Sequence, residues 1–275
     1  PNHRWPIVNS WSDNTKIKRG YELKEVSDLI PRAVPHNFPE DSILNPREAA
    51  ILGWLVTDGY VRRSDGRKPE IIIYQHRDKY IASITAATNT RAYSRSISTN
   101  PDNMVIRASQ EDSDNILAVC PNKEHLLDII PQLSEDAAHE MWEAMAMAEG
   151  NWDEAYNGKQ FFRFLQQPGP VSQAFQMLSV LLGRAITVGS RDGLDMVYIN
   201  NNSKPYQAKQ VRRMTTRHYK GKVWCPVTPS GTWLVNCNGS VLWTGNTYEF
   251  HRPWWIARNI IQKPALGMSI GRYMD

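Results

Sequence analysis

Two stretches of this chain share one pattern: Ile51-Leu-Gly-Trp-Leu-Val-Thr-Asp58-Gly59 and Trp142-Glu-Ala-Met-Ala-Met-Ala-Glu149-Gly150. Each is an apolar run at helical spacing that ends in an acidic residue and a glycine. Strand-like segments follow each: Ile71 to Tyr74 and Met104 to Arg107 after the first, Phe161 to Phe164 and Met196 to Ile199 after the second. Further helical stretches are read at Lys123 to Ile130 and Val171 to Leu182. A helix-then-strands unit that occurs twice predicts a pseudo-symmetric domain, and such a repeat governs the fold class. Gly53 and Thr57 on one helix, and Ala144 and Ala148 on the other, would let the two backbones approach closely. Asp58 and Glu149 would then meet at the feet of the pair. Gly59 suits a helix C-terminal stop, and Ser134, followed by Glu135 and Asp136, suits an N-cap. The plainer alternative is two amphipathic core helices whose last turns happen to be acidic.

The flanks differ. Residues 1 to 44 alternate short apolar runs with turn residues, as in Tyr21 to Pro31, and read as short strands of a β-rich module. A proline-rich linker, Pro31 to Pro46, closes it. Strand character returns at Val223 to Val227. The chain of 275 residues is long enough for two compact units, each with its own core. No apolar run approaches the roughly 20 residues that span a membrane, and no signal peptide is visible. Three cysteines make no disulfide framework, which predicts a reducing cytoplasm. A net charge of +4 fits nucleic-acid binding without establishing it.

The C-terminal part carries a second constellation. Lys222-Val-Trp-Cys225-Pro-Val-Thr is followed by Trp243-Thr244-Gly245-Asn246-Thr247. Cys225 supplies a thiol that can take an acyl group as a thioester, and the Thr247 hydroxyl can take it next as an ester. The Asn246 side-chain amide can attack its own carbonyl and release the chain behind it. The separate alternatives are ordinary ones: Trp5 and Thr244 as β-core residues, and Cys225 as a small buried hydrophobe.

The doubled acidic helix ends resemble the LAGLIDADG motif of homing endonucleases, the second copy more loosely. The resemblance implies an αββαββα repeat in which Asp58 and Glu149 hold Mg²⁺ against two scissile phosphates, one on each strand of a double-stranded target. It extends to Tyr74-Gln75, to Phe161-Phe-Arg-Phe164 and to Gln176 through Gly183. Strands of that family form a saddle in the major groove. The implied DNA contacts are Arg62, Arg63, Arg67, Lys68, Gln75 and Arg77 in the first half. In the second they are Arg163, Gln166, Gln167, Arg191, Asn200 and Lys204. Arg and Gln read guanine and adenine edges, whereas Lys meets phosphates. Lys123 is the candidate for the basic residue that family members place near their metals.

The two ends resemble the splicing motifs of inteins, in the variant called class 3. Pro1-Asn-His3-Arg-Trp5 is similar to the inner motif, and Trp5, Cys225 and Thr244 stand at the offsets of the class 3 signature. The resemblance implies that His3 strains the upstream scissile amide and that Cys225 attacks it. Trp5 and Thr244 orient the thiol, Thr247 accepts the acyl group, and Asn246 cyclises without a cofactor. Gly245 stands where a histidine usually assists that cyclisation.

The expected architecture is therefore α+β: a β-rich Hint-type splicing module interrupted by a LAGLIDADG endonuclease. The expected parts are residues 1–44, an incomplete N-terminal splicing segment whose upstream strands are missing; 45–205, the endonuclease; 206–246, the C-terminal splicing segment; and 247–275, the start of a C-extein. The implied partners are the host gene lacking the insertion and the flanking exteins, with no membrane and a monomeric state. A reading from another class is a catalytically inactive DNA- or RNA-binding protein on the same scaffold, a regulator or maturase. It leaves Cys225 and Asn246-Thr247 unexplained.

Overall fold

The computed structural model describes residues 4–9, 12–24, 27–33, 37–76, 80–88, 92–94, 103–154, 160–199, 206–207, 232–237, 240–245, 264–265 and 268–269. The fold is mixed helix and sheet. In chain order the elements are β1 (Arg4–Asn9), β2 (Ser12–Arg19), β3 (Asp28–Ile30), α1 (Pro46–Asp58), β4 (Gly59–Arg62), β5 (Glu70–His76), α2 (Ile81–Thr88), β6 (Ala92–Ser94), β7 (Asn103–Arg107), α3 (Gln110–Val119), α4 (Leu126–Ile129) and α5 (Glu135–Glu149). Then come β8 (Gly150–Glu154), β9 (Gln160–Gln166), α6 (Pro170–Leu181), β10 (Ile186–Arg191), β11 (Leu194–Ile199), β12 (Tyr206–Gln207), β13 (Thr232–Cys237) and β14 (Ser240–Gly245). The chain forms two compact units: Pro1–Pro35 with Gly183–Gly189 and Ile199–Asp275, and His36–Leu182 with Ser190–Tyr198. Among the described residues no helix is long and apolar enough to cross a membrane.

In the helix-rich unit the sequence repeat is a structural one. The first sheet runs β4-β5-β7-β6; the second runs β8-β9-β11, with the Ser190–Arg191 end of β10 beyond it. In each half a helix ends in an acid, and the next residue, a glycine, opens the first strand. That glycine pairs with the following strand two positions before a glutamine: Gly59 with Ile73, and Gly150 with Phe164.

Local chemistry sets the helix ends. Asn45 caps α1, accepting from the Glu48 N–H at 3.0 Å, while Glu48 Oε2 accepts from the Asn45 N–H at 2.9 Å. This reciprocal box, with Pro46 in the first turn, fixes where the helix starts. Ser134 caps α5 by accepting from the Ala137 N–H. The α1 stop departs from the left-handed cap that a glycine predicts, for Gly59 is extended, with φ at −115°. The glycine is needed for space instead. A Cβ there would lie 2.6 Å from Leu55 Cα and 3.1 Å from the Ile72 carbonyl oxygen.

The two acid-ending helices pack against one another along their small residues. A Cβ on Gly53 would sit 2.7 Å from the Met141 carbonyl oxygen and 2.8 Å from Ala144 Cβ, so only glycine permits this separation. Trp54, Ile73, Ile84, Ile106 and Ala144 form the buried core beneath the first sheet. In the second half Trp142, Phe162, Phe164 and Phe175 stack, and the Trp142 indole N–H donates to Ser179 Oγ at 2.8 Å. Two helices went unread in the sequence, α2 and α3. Pairing of α1 with α3 uses polar groups, Arg47 to Asp112 at 2.7 Å and Asn115 to Glu48 at 2.8 Å, which carry no apolar period.

The strand-rich unit is built on antiparallel pairs. β1 pairs with β2 and with β3, and β3 with β12. β13 and β14 form a second pair, and β14 meets β10 at Thr187–Ser240. Tyr21, read as the opening of a strand, lies in a 3-10 turn, Gly20–Glu22. Asp28 is buried and fully engaged, accepting from Lys18 Nζ at 2.8 Å and from the Lys24 N–H at 2.6 Å. The predicted strand at Val223 to Val227 lies outside the described residues.

Candidate active site

The feet of α1 and α5 carry Asp58 and Glu149, both partly buried. Gln75 Nε2 donates to Asp58 Oδ2 at 3.0 Å, and Gln166 Nε2 donates to Glu149 Oε1 at 3.4 Å. Each glutamine lies 17 residues after its acid. Each also accepts from the backbone N–H that follows it: Gln75 Oε1 from His76 at 3.1 Å, Gln166 Oε1 from Gln167 at 2.8 Å. The strand backbone thus fixes which end of the amide faces the carboxylate. The same three-part arrangement is built twice, at the same place in each repeat.

The two acids are coupled electrostatically. Burial, and then the charge of Asp58, push the Glu149 carboxyl above its ordinary range; the Gln166 hydrogen bond and the charge of Lys123 pull it back. Lys123, the basic residue expected near the acids, is thus close enough to act on Glu149. A divalent cation bound at the two carboxylates would offset that like-charge repulsion. Carboxylates are hard oxygen donors suited to Mg²⁺, which fits the implied metal. Among the described residues no three His, Cys, Asp or Glu side chains form a metal cage. Asp58 and Glu149 would be the residues that hold the ion, and its chemistry would be that of a hard cation on carboxylate oxygens.

The residues read as DNA contacts differ in their surroundings. Gln75 and Gln166 are bound to the acids. Arg62 is ion-paired with Glu70, Lys68 with Asp114 at 2.6 Å, and Arg191 with Asp192 at 3.4 Å. Arg63, Arg67 and Gln167 are exposed, Arg163 is partly buried, and Arg77, Asn200 and Lys204 lie outside the described residues. Glu70, absent from the sequence reading, proves to organise its surroundings.

Of the splicing residues, Trp5 and Thr244 are described; His3, Cys225, Asn246 and Thr247 lie outside the described residues. Trp5 lies on β1, in register with Lys18. Thr244 is buried on β14 opposite Trp233. The two strands come together: a Cβ on Gly245 would lie 2.9 Å from the Arg4 carbonyl oxygen and 3.0 Å from Arg4 Cβ. The neighbour of His3 and the neighbour of Asn246 are therefore in contact.

No family model matches the chain, and no curated protein matches it. Among solved structures it is similar to the homing endonuclease I-DmoI in complex with DNA and Mn, at 14% identity and a TM-score of 0.39, covering 63% of this chain and 98% of that one. It is also similar to the LAGLIDADG meganuclease I-AabMI bound to uncleaved DNA, at 12% identity and a TM-score of 0.35, covering 57% and 79%. The homing endonuclease I-WcaI bound to its DNA recognition sequence matches at 12% identity and a TM-score of 0.38, covering 58% and 78%. At these values the likenesses are weak, and the functional assignment rests on the geometry of the helix feet.

Proposed function

We propose that the helix-rich part of the chain, residues 45–205, is a metal-dependent, site-specific DNA endonuclease of the LAGLIDADG type. The observation that carries this reading is the doubled carboxylate–glutamine arrangement at the feet of two closely packed helices. Two equivalent centres related by a repeat suit a duplex, whose two strands present two scissile phosphates. Asp58 and Glu149 hold the divalent cations, for which Mg²⁺ is the first candidate. Gln75 and Gln166 keep the acids aimed, and Lys123 offsets negative charge on the Glu149 side. The chemistry that a bound cation supplies is orientation of a water and neutralisation of the leaving oxygen. The basic residues on the strands and loops grip the double-stranded target.

The decisive test is incubation of the protein with a pool of duplexes carrying randomised inserts, with Mg²⁺ or with chelator. The reading expects double-strand cuts within one enriched sequence, dependent on Mg²⁺ and lost in Asp58→Asn. Binding of the enriched sequence without any cut would return the chain to the inactive binding-protein reading.

A second activity has its own supporting observation, the contact of Gly245 with Arg4. We read residues 1–44 and 206–246 as the two parts of a splicing module, and 247–275 as the beginning of a C-extein. Splicing would run from His3 and Cys225, positioned by Trp5 and Thr244, through Thr247 to Asn246. Its place of work would be a reducing cytoplasm, where Cys225 stays a thiol. Mass measurement of the released 247–275 peptide tests the last step, and release that persists in Asn246→Ala would overturn it.

A further inference from the structure

We infer that Glu70 is a specificity-determining residue: paired with Arg62 and near Arg107, it forms a guanine-reading fork on one face of the first sheet. This rests on the DNA-binding reading above and goes beyond its list of basic contacts.

The register decides which side chains share that face. Ile73 belongs to the core with Trp54, Ile84 and Ala144, so Ile71, Ile73 and Gln75 point to the helices. Alternate residues point the other way: Glu70, Ile72, Tyr74 and His76. Tyr60 pairs with Ile72 and Arg62 with Glu70 across β4–β5, and Ile72 pairs with Arg107 across β5–β7. Directly paired residues project on the same side. Tyr60, Arg62, Glu70, Tyr74 and Arg107 therefore share one side of the sheet with Ile72 and Val105, which are themselves buried, so that only the longer polar and aromatic side chains reach solvent there.

That surface is organised. Glu70 Oε2 takes Arg62 Nη2, and Glu70 Oε1 lies 3.9 Å from Arg107 Nη1. One carboxylate stands between two guanidinium groups. Beside it the Tyr60 and Tyr74 rings stack at 5.4 Å and 4°, with hydroxyls 3.3 Å apart. The loop entering β5 is held as well, since Gln110 Nε2 donates to the Pro69 carbonyl at 3.1 Å and Lys68 is gripped by Asp114.

An unrestrained arginine on a DNA-facing surface seeks any phosphate and carries no sequence information. An arginine whose fork is held by a carboxylate keeps one orientation, the condition for bidentate contact with guanine O6 and N7. Glu70 also places a negative charge on the groove-facing surface. By holding the guanidinium group it also keeps Arg62 from turning to any passing phosphate, which disfavours contacts that carry no sequence. The rigid tyrosine wall sets the lateral position of the duplex against this triad.

The test is selection of the full chain against a pool of randomised duplex DNA, followed by binding of enriched and scrambled duplexes across a salt series. For the wild type the enriched sequence carries a guanine that, when replaced, lowers affinity by roughly tenfold or more. In Glu70→Gln, which keeps the side-chain shape, and in Glu70→Ala, that discrimination collapses. Affinity for the scrambled duplex rises with a steeper salt slope, by about one released ion. Arg62→Lys keeps the charge and the slope but loses the guanine preference. A wild type that enriches no sequence overturns the DNA-binding reading. A wild type that enriches one while both Glu70 variants retain its guanine preference overturns the role of Glu70 alone.

Discussion

Glu149 lies in the field of Asp58, and that charge, added to burial, raises its carboxyl above the ordinary value of 4.5. A raised folded-state value means that the protonated form is favoured by folding. The stability contributed by Glu149 is then full below about pH 4.5 and is lost as pH rises through the raised value. Glu149→Gln removes both the buried charge and the repulsion. The variant should be the more stable protein at neutral pH, with the gap closing as pH falls toward 4.5. Urea unfolding across that range checks this, and a gap that widens on acidification would count against it. DNA cleavage should fall over the same window, because only the ionised acid holds a cation.

Gly53 has no room for a methyl group against the Met141 carbonyl and Ala144. Gly53→Ala should force α1 and α5 apart and destabilise by about 1–3 kcal/mol. The more sensitive readout is cleavage, since separating the helices moves the two acids. A variant that unfolds at the wild-type urea concentration and cuts at the wild-type rate would show that close packing is irrelevant to the centre.

Gln75 and Gln166 were read from the sequence as base contacts, and in the structure both are bonded to the acids. Replacing either with alanine should slow cleavage and leave DNA affinity within about twofold, because each acts on the carboxylate. The 3.0 Å bond of Gln75 is better formed than the 3.4 Å bond of Gln166, so Gln75→Ala should be the more damaging change. Single-turnover rates with an equilibrium binding assay separate the two effects. A large loss of affinity with an unchanged rate would restore the base-contact role.

Gly245 touches Arg4 across β14 and β1. Gly245→Ala should push these strands apart and slow release of the 247–275 peptide, while leaving DNA cleavage unaltered. Time courses followed by mass measure both. Equal release in the two proteins would mean that this contact does not set the geometry of Asn246.

Cys120 is buried, and burial pushes its thiol up to about 11. Alkylation of the native protein at neutral pH, followed by peptide mapping, should leave Cys120 unmodified until the chain is unfolded. Rapid native labelling at that position would show the core beneath α3 to be open.

Much of the helix-rich unit was legible in the chain itself. The apolar period of α1 and α5, the small residues between them and the acid at each foot are local patterns, and helix geometry turns them into a face. Ser134 was legible as a cap because its partner is three residues away. Other features escaped. α3 joins α1 by ion pairs and amides, so no apolar stripe announced that pairing. Gly59 was legible as the helix stop, but its reason was not, because crowding by Leu55 and Ile72, not a left-handed turn, demands the glycine there.

By itself, then, the sequence determined the repeated helix, the acids at its ends and the alternation of the strands after it, since each depends on neighbours a few residues apart. Tertiary structure alone decided what those groups do. A glutamine becomes the partner of a carboxylate, a glutamate the ion-pair partner of one arginine with a second nearby, and a glycine the contact point of two distant strands. Hydrogen bonds and charges act over a few ångströms of space, and only the packed backbone brings residues so far apart in the chain within that distance.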